Sequence, residues 1–177
     1  MPLQHPAGAW RVVDVGSGAG FPGLPLKIML PEIRLTLIEA TGKKAAFLQN
    51  MVKTLSLTDV EIVNARAEEA AHRPEHREQY DLVVARAVAP LVVLAEYCLP
   101  LCRVGGRMIA QKGEGVAQEV SDAARAIGLL GGSTACVKSV ALPEVWRDHH
   151  LVVVDKLTVT PEAYPRRAGI PSKRPLH

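Results

Sequence analysis

Asp14, Glu39 and three glycines at alternate positions, Gly16, Gly18 and Gly20, are the residues of this chain whose types and spacing suit a chemical site. Glycine tolerates positive φ and lets the backbone approach a ligand with no Cβ in the way, so three in alternation make a sharp, open loop. The loop leaves an apolar run, Arg11-Val12-Val13-Asp14-Val15, that reads as a short buried strand, and Pro22 suits the first turn of a helix after it. In sheets wound from such units, ligands bind at the carboxyl ends of the strands. The stretch predicts a nucleotide-like cofactor. Gly18 to Gly23 formally satisfies G-x-G-x-x-G, a dinucleotide signal that is weak alone. The second strand, Arg34 to Ile38, ends at Glu39, about twenty residues past the loop, where a carboxylate can accept hydrogen bonds from both ribose hydroxyls.

Read from Asp14, the loop is Asp-x-Gly-x-Gly-x-Gly, which resembles the first motif of S-adenosylmethionine (SAM) methyltransferases. Glu39 would serve NAD or SAM equally. Asp14 tips the balance, because a carboxylate at the mouth of the loop suits the cationic methionine end of SAM and would repel a pyrophosphate.

The elements that must position these residues alternate along the chain. A helix is expected over Lys43 to Leu55, a third strand over Val60 to Val63 and a fourth, fully apolar after its first residue, over Asp81 to Ala85. A helix over Leu91 to Leu101, a turn at Arg103-Val104-Gly105-Gly106, a strand over Arg107 to Gln111 and a helix over Glu114 to Leu129 follow. Two strand-like runs, Ser133 to Leu142 and His149 to Val159, read as a hairpin. The layout is α/β: a doubly wound, mostly parallel, seven-stranded sheet with a C-terminal antiparallel hairpin, the Rossmann-like arrangement of class I SAM methyltransferases. It leaves no room for the second half and substrate domain of a dehydrogenase.

The 177 residues predict one domain, 1–177, ending in a basic tail over 160–177. No apolar run approaches the length of a membrane helix and no signal peptide opens the chain, so a soluble, cytoplasmic protein, a monomer without membrane contact, is expected. Cys98, Cys102 and Cys136 lack paired metal spacing; the first two, one turn apart on an apolar helix, read as core. His72 and His76 have an i, i+4 spacing, but Pro74 between them disfavours a helical metal site, and a solvated surface is expected. No metal is expected. The whole net charge of +3 sits in the tail, where Arg166, Arg167, Lys173 and Arg174 face one acid, Glu162. Such a tail is the footprint of a phosphate-rich partner or simply a solvated end. The Pro-rich end is the one part expected to be disordered.

Taken together, Asp14 to Pro25 (DVGSGAGFPGLP), Arg86-Ala87-Val88-Ala89, Gln111-Lys112-Gly113 and the ending Tyr164 to Leu176 (YPRRAGIPSKRPL) resemble RsmG (GidB), a bacterial family of small-subunit ribosomal RNA guanine-N7 methyltransferases. The resemblance runs from about Val12 to Leu176. Members begin with a helical segment ahead of the glycine-loop strand, and here only about ten residues precede that strand, so this segment is expected to be missing. The resemblance implies that Gly16 and Phe21 lie against SAM, with Gly18 and Gly20 giving close backbone approach. It places Glu39 on the ribose, Ala67 and Glu68 around the adenine, and Arg86 at the junction of cofactor and target base. Glu68 is otherwise an ordinary first-turn helix acid. An arginine directly after apolar strand residues needs a partner.

The chemistry agrees. Methylation of an exocyclic amine typically uses an Asn/Asp-Pro-Pro-aromatic group after the fourth strand, where this chain has Arg86-Ala87-Val88-Ala89-Pro90. Guanine N7 has a free lone pair and no proton to remove, so alignment and electrostatics suffice and Arg86 would position rather than accept a proton. A-form RNA hides N7 in a deep groove, so the target should be a loop or flipped base of 16S ribosomal RNA, free or in the small subunit. Lys112, Arg166, Arg167, Lys173 and Arg174 would contact phosphates and Tyr164 would stack on a base, leaving cofactor affinity to the loop. The rival readings are a NAD-dependent oxidoreductase and a noncatalytic RNA-binding assembly factor.

Overall fold

A computed structural model describes residues 8–140 and 149–176 of the chain. Its elements are β1 (Arg11–Val15), α1 (Gly23–Met29), β2 (Arg34–Ile38), α2 (Gly42–Thr54), β3 (Val60–Val63), α3 (Ala67–Ala70), β4 (Tyr80–Arg86), α4 (Leu91–Cys98), β5 (Cys102–Lys112), α5 (Val116–Leu129), β6 (Cys136–Val140), β7 (His149–Asp155) and α6 (Ile170–Lys173). The seven strands form one sheet in the order β3-β2-β1-β4-β5-β7-β6. Pairing is parallel from β3 through β5 and antiparallel where β7 joins β5 and β6. The hairpin expected at the C-terminal end is therefore present, and its second strand is the one that meets β5. Its connection, residues 141–148 with Leu142, lies outside the described residues.

Burial follows from the parallel pairing, because helices cover both faces. Val12, Leu24, Leu35, Leu37 and Leu48 form one cluster, carried by β1, α1, β2 and α2. Val13, Val83, Leu94, Met108, Ile127 and Val152 belong to a larger cluster on the α4 and α5 side. All eight residues of α4 are buried, Glu96 and Tyr97 included. The chain order reverses direction between β1 and β4, which opens the ligand crevice at the carboxyl ends of those two strands.

Four expectations are corrected. Arg103 to Gly106 do not close a turn; they are an irregular stretch inside β5, where Tyr80 pairs with Cys102 but Leu82 pairs with Arg107. Gly106 is needed there, since a Cβ would lie 2.9 Å from the carbonyl oxygens of Tyr80 and Asp81, and Arg103 closes the bulge with an ion pair to Asp81 at 2.6 Å. The α4 helix ends at Cys98, so Cys98 and Cys102 are both core but do not share a helix. Burial pushes both thiols up, Cys102 to about 12. His76 is buried, its Nδ1 2.7 Å from the Tyr80 hydroxyl, although His72 is exposed as expected.

The fourth correction concerns the Pro-rich end, which is ordered and packed on the body. Lys156 is fully buried at its root; its ammonium donates to the Leu99 carbonyl at 2.7 Å and the Leu130 carbonyl at 3.2 Å, bonds the Thr160 hydroxyl and pairs with Glu78 at 3.3 Å. One cation thus joins the ends of α4 and α5 to the start of the last segment. Removing one partner of a buried ion pair costs about 3–5 kcal/mol, because the remaining charge and acceptors stay unpaired. Lys156→Met should lower stability by about that amount, measured as the urea midpoint at unchanged m-value.

Candidate functional site

The glycine loop is built by the chain leaving β1 and turning back under β2. The N–H groups of Gly16 and Ser17 both donate to the Ile38 carbonyl, at 2.9 and 3.1 Å, and the Ser17 hydroxyl donates to the Asp14 carbonyl at 2.9 Å. Gly16, Gly18 and Gly20 have φ of +70, +57 and +95°, which side-chain-bearing residues adopt at a cost. A Cβ on Gly16 would lie 2.8 Å from Val88 Cγ2, so the loop after β4 closes directly over this glycine.

Two carboxylates hold the loop. Asp14 is fully buried; its Oδ2 accepts the Gly23 N–H at 2.9 Å, at the first residue of α1, and its Oδ1 has no partner among the described residues. Burial pushes its pKa from 3.8 up to about 6, against the Gly23 bond and the nearby Arg86 guanidinium, which lower it, while Glu39 adds to the rise. Glu39 behaves in the opposite way. Burial alone would raise its pKa, but the N–H groups of Thr41 (2.8 Å) and Gly18 (3.0 Å) outweigh it, helped by the Thr41 hydroxyl and Lys44, and hold it below the ordinary value. An ionised Glu39 has lone pairs left for further donors.

Two openings lie along the carboxyl ends of the strands. A cleft of about 390 Å³ is lined by Gly16, Glu39, Lys44, Arg66, Ala67, Glu68, Val88 and Tyr97, among others. A wider opening of about 710 Å³ is lined by Arg86, Ala87, Gln111, Lys112, Gly113, Glu114 and His149. Ala87 lines both, and it holds the left-handed φ of +54°. Arg86, exposed at the end of β4, places its guanidinium 5.1 Å from the ring centroid of the half-exposed Phe21. Asp14, Gly16, Gly18, Gly20, Phe21, Glu39, Ala67, Glu68 and Arg86 therefore converge on one end of the sheet.

The basic residues divide. Arg166 gives its side chain to Glu96, with contacts of 2.6–3.2 Å, and Lys112 donates to the Ala89 carbonyl and to Glu119, both at 2.7 Å. Donating these hydrogen bonds to Glu96 raises the Arg166 pKa further. These two cations have partners inside the protein, unlike the other basic residues expected to contact phosphates. Arg167, Lys173 and Arg174 are exposed. Tyr164 is half-buried and packs against the core. Residues lining the two openings that were not anticipated from sequence include Lys44, Arg66, Val88, Tyr97 and His149, and Glu96 beside Tyr97 on α4 was missed as well. Of these, only Glu96 carried a signal: an acid in an otherwise apolar helix must have a partner.

A buried acid with one oxygen unpartnered, a second acid ready for hydroxyl donors and a glycine cradle fit a cationic nucleoside cofactor. Solved methyltransferases share this fold. An rRNA methylase from Streptococcus thermophilus superimposes with a TM-score of 0.61 at 17% identity, over 85% of this chain and 88% of that one. A SAM-dependent O-methyltransferase from Thermotoga maritima does so with 0.62 at 14% identity, over 88% and 62%. Fold and site thus define the class, that of the SAM-dependent methyltransferases.

The sequence comparison narrows this. The family model of rRNA small subunit methyltransferase G (GidB) matches residues 2–152. Proteins named ribosomal RNA small subunit methyltransferase G are 55% identical in Roseiflexus sp. (strain RS-1), over 94% of this chain and 70% of that protein, and 46% identical in Lactobacillus johnsonii, over 96% and 71%. The chain belongs to the rRNA small subunit methyltransferase G family.

Asp14 generates a pH prediction. If Asp14 faces the ammonium group of the cofactor's amino-acid end, which S-adenosylhomocysteine shares, affinity for S-adenosylhomocysteine, measured by calorimetry, should be full above pH 6 and fall by up to tenfold per unit as Asp14 protonates below it. Asp14→Asn should bind more weakly at pH 7 and lose this dependence. Because the folded pKa lies above the unfolded value, burial of Asp14 disfavours the free protein least at low pH. The Tm gap between wild type and Asp14→Asn should therefore move in favour of wild type as pH falls from 7 to 5.

Proposed function

We propose that this protein transfers a methyl group from SAM to N7 of a guanosine in a loop of 16S ribosomal RNA. The observation that carries the reading is the pair of adjoining openings that share Ala87, with Glu39 lining one and Arg86 the other. SAM, when bound, supplies a methyl group on a positively charged sulfur. Gly16, Gly18 and Gly20 give the backbone room to approach it, the open Oδ1 of Asp14 suits its cationic end and Glu39 its ribose. Ala67 and Glu68 lie where the adenine would be framed.

The wider opening takes the target base. Arg86 is kept in place by the Phe21 ring, and its N–H donors match guanine O6, the acceptor beside N7. Holding O6 fixes the base while the N7 lone pair stays free. No proton leaves N7 during transfer, so the chain needs no general base there, and among the described residues no group of three metal-ligating side chains exists. Arg167, Lys173 and Arg174 are the exposed cations of the final segment and are assigned to phosphates. Among the described residues no helix is long and apolar enough to cross a membrane.

The test is incubation with labelled SAM and undermethylated small subunits or naked 16S RNA, in separate reactions. Label should appear at one guanine N7, located by the strand scission that N7-methylguanosine permits. Arg86→Ala should lower kcat/KM by on the order of 10²-fold, the cost of a misplaced base. Thermal stabilisation by NAD and not by SAM would overturn the reading in favour of an oxidoreductase, and RNA binding without methylation would favour an assembly factor.

A further inference from the structure

The last segment of the chain does more than present basic residues. Three of its residues bond to side chains on or beside the cleft assigned to the cofactor. The Gly169 N–H donates to Glu68 Oε1 at 2.9 Å, and Glu68, which lines the cleft, is only 2% exposed. The Tyr97 hydroxyl, from another cleft-lining residue, is 2.7 Å from the Ser172 hydroxyl. Glu96, the residue before it on α4 and 1% exposed, accepts both the Arg166 main-chain N–H at 2.7 Å and the Arg166 guanidinium at 2.6 Å.

These anchors act on the adenine end of the cleft. A buried carboxylate needs donors, and the Gly169 N–H is the hydrogen-bond partner the structure gives Glu68. Without it Glu68 would be left buried with no donor, or would have to turn toward solvent through the cleft. The segment is itself held on its other side: the Arg77 guanidinium donates to the carbonyls of Tyr164 at 2.8 Å and Thr160 at 2.9 Å, and His72 Nε2 lies 2.8 Å from the Pro165 carbonyl. It is clamped at both ends.

We propose that the segment from Thr160 to Leu176 is an outer wall of the cofactor site, lining none of the cleft itself but backing Glu68 and Tyr97, with Arg166, Gly169 and Ser172 as positioning residues that set those two side chains at its adenine end. This rests on the reading of the cleft as the SAM site. It replaces the expectation that the segment leaves cofactor affinity alone. A basic segment mounted in this way links the phosphate-facing surface to the cofactor cleft.

The test compares the full-length wild type with Ser172→Ala, Arg166→Ala and Arg166→Lys, titrated with S-adenosylhomocysteine and with adenosine. Ser172→Ala removes one hydroxyl from an exposed residue, so it keeps the fold and should weaken both ligands by about 2–10-fold, the range of one hydrogen bond. Arg166→Ala should weaken them more, and Arg166→Lys should recover part of the loss, since a lysine restores the charge but not the two-pronged contact. The factor should be the same for the two ligands, because adenosine carries the end that Glu68 and Tyr97 face. KM for SAM should rise while kcat at saturating SAM and RNA holds. Variants with wild-type affinity for both ligands would overturn the wall, as would a loss confined to S-adenosylhomocysteine. A wild type that binds neither ligand would overturn the reading of the cleft itself.

Discussion

A carboxylate accepting a backbone N–H is the interaction on which this structure depends. It recurs wherever a loop must be fixed against the sheet. Asp14 holds the first N–H of α1, Glu39 those of Gly18 and Thr41, Glu119 that of Leu91 at the start of α4, and Asp81 that of Arg11. Glu78, Glu68 and Glu96 do the same for Thr160, Gly169 and Arg166. Loop amides and helix N-termini carry donors that no regular ladder satisfies, and an ionised acceptor makes the stronger type of hydrogen bond with them. A fold with short helices and long connections gains its definition from these clamps as much as from its apolar core.

Asp14 and Glu39 show how one motif gives two acids different properties. Both lie at the carboxyl ends of neighbouring strands, paired through Asp14 with Leu37 and Val15 with Ile38. Glu39 has two amide donors and a favourable lysine, and is stabilised as an anion; Asp14 has one donor and an open oxygen, and is held near the point of protonation. The difference is one of hydrogen bonds counted against burial. Asp14 is the less stable anion in the free protein and so has more to gain from a bound cation, whereas Glu39 is already satisfied and serves as a fixed acceptor. A strained charge beside a satisfied one is the electrostatic profile expected where a cation is to be held next to a neutral, hydroxyl-bearing group.

Much of this was legible in the sequence because the signals are local. β1, β2 and β3 fall on the residues their apolar runs predicted, and the glycine loop, Asp14 and Glu39 are set by spacing along two adjacent strands. What escaped was non-local. The Gly105-Gly106 pair reads as a turn until the register of β4 against β5 shows that a bulge needs it. His76 looks solvated among its charged neighbours; its partner Tyr80 is only four residues on, and it is the burial of both that the sequence hides. The final segment has a composition that suggests a free end; its partners Glu68, Arg77, Glu78 and Glu96 lie some 70 to 100 positions earlier in the chain. Composition counts charges without saying which of them are already paired.

Arg166 makes that last point consequential. Four cations near the chain end suggested one continuous phosphate-binding tail, but the partner of Arg166 is an almost fully buried acid, so its charge is spent on docking the segment. An exposed ion pair would be worth little and could be traded for a phosphate; a pair whose carboxylate has no access to water cannot be opened without stranding that charge. The neighbouring cations Arg167, Lys173 and Arg174 are free of this constraint yet carried on the same clamped backbone. Phosphates contacting them would meet charges already fixed in position, with little ordering left to do on binding. Since Gly169 and Ser172 lie between those cations and bond to Glu68 and Tyr97, whatever shifts the basic surface also acts on the adenine end of the cleft, and by linkage the reverse must hold.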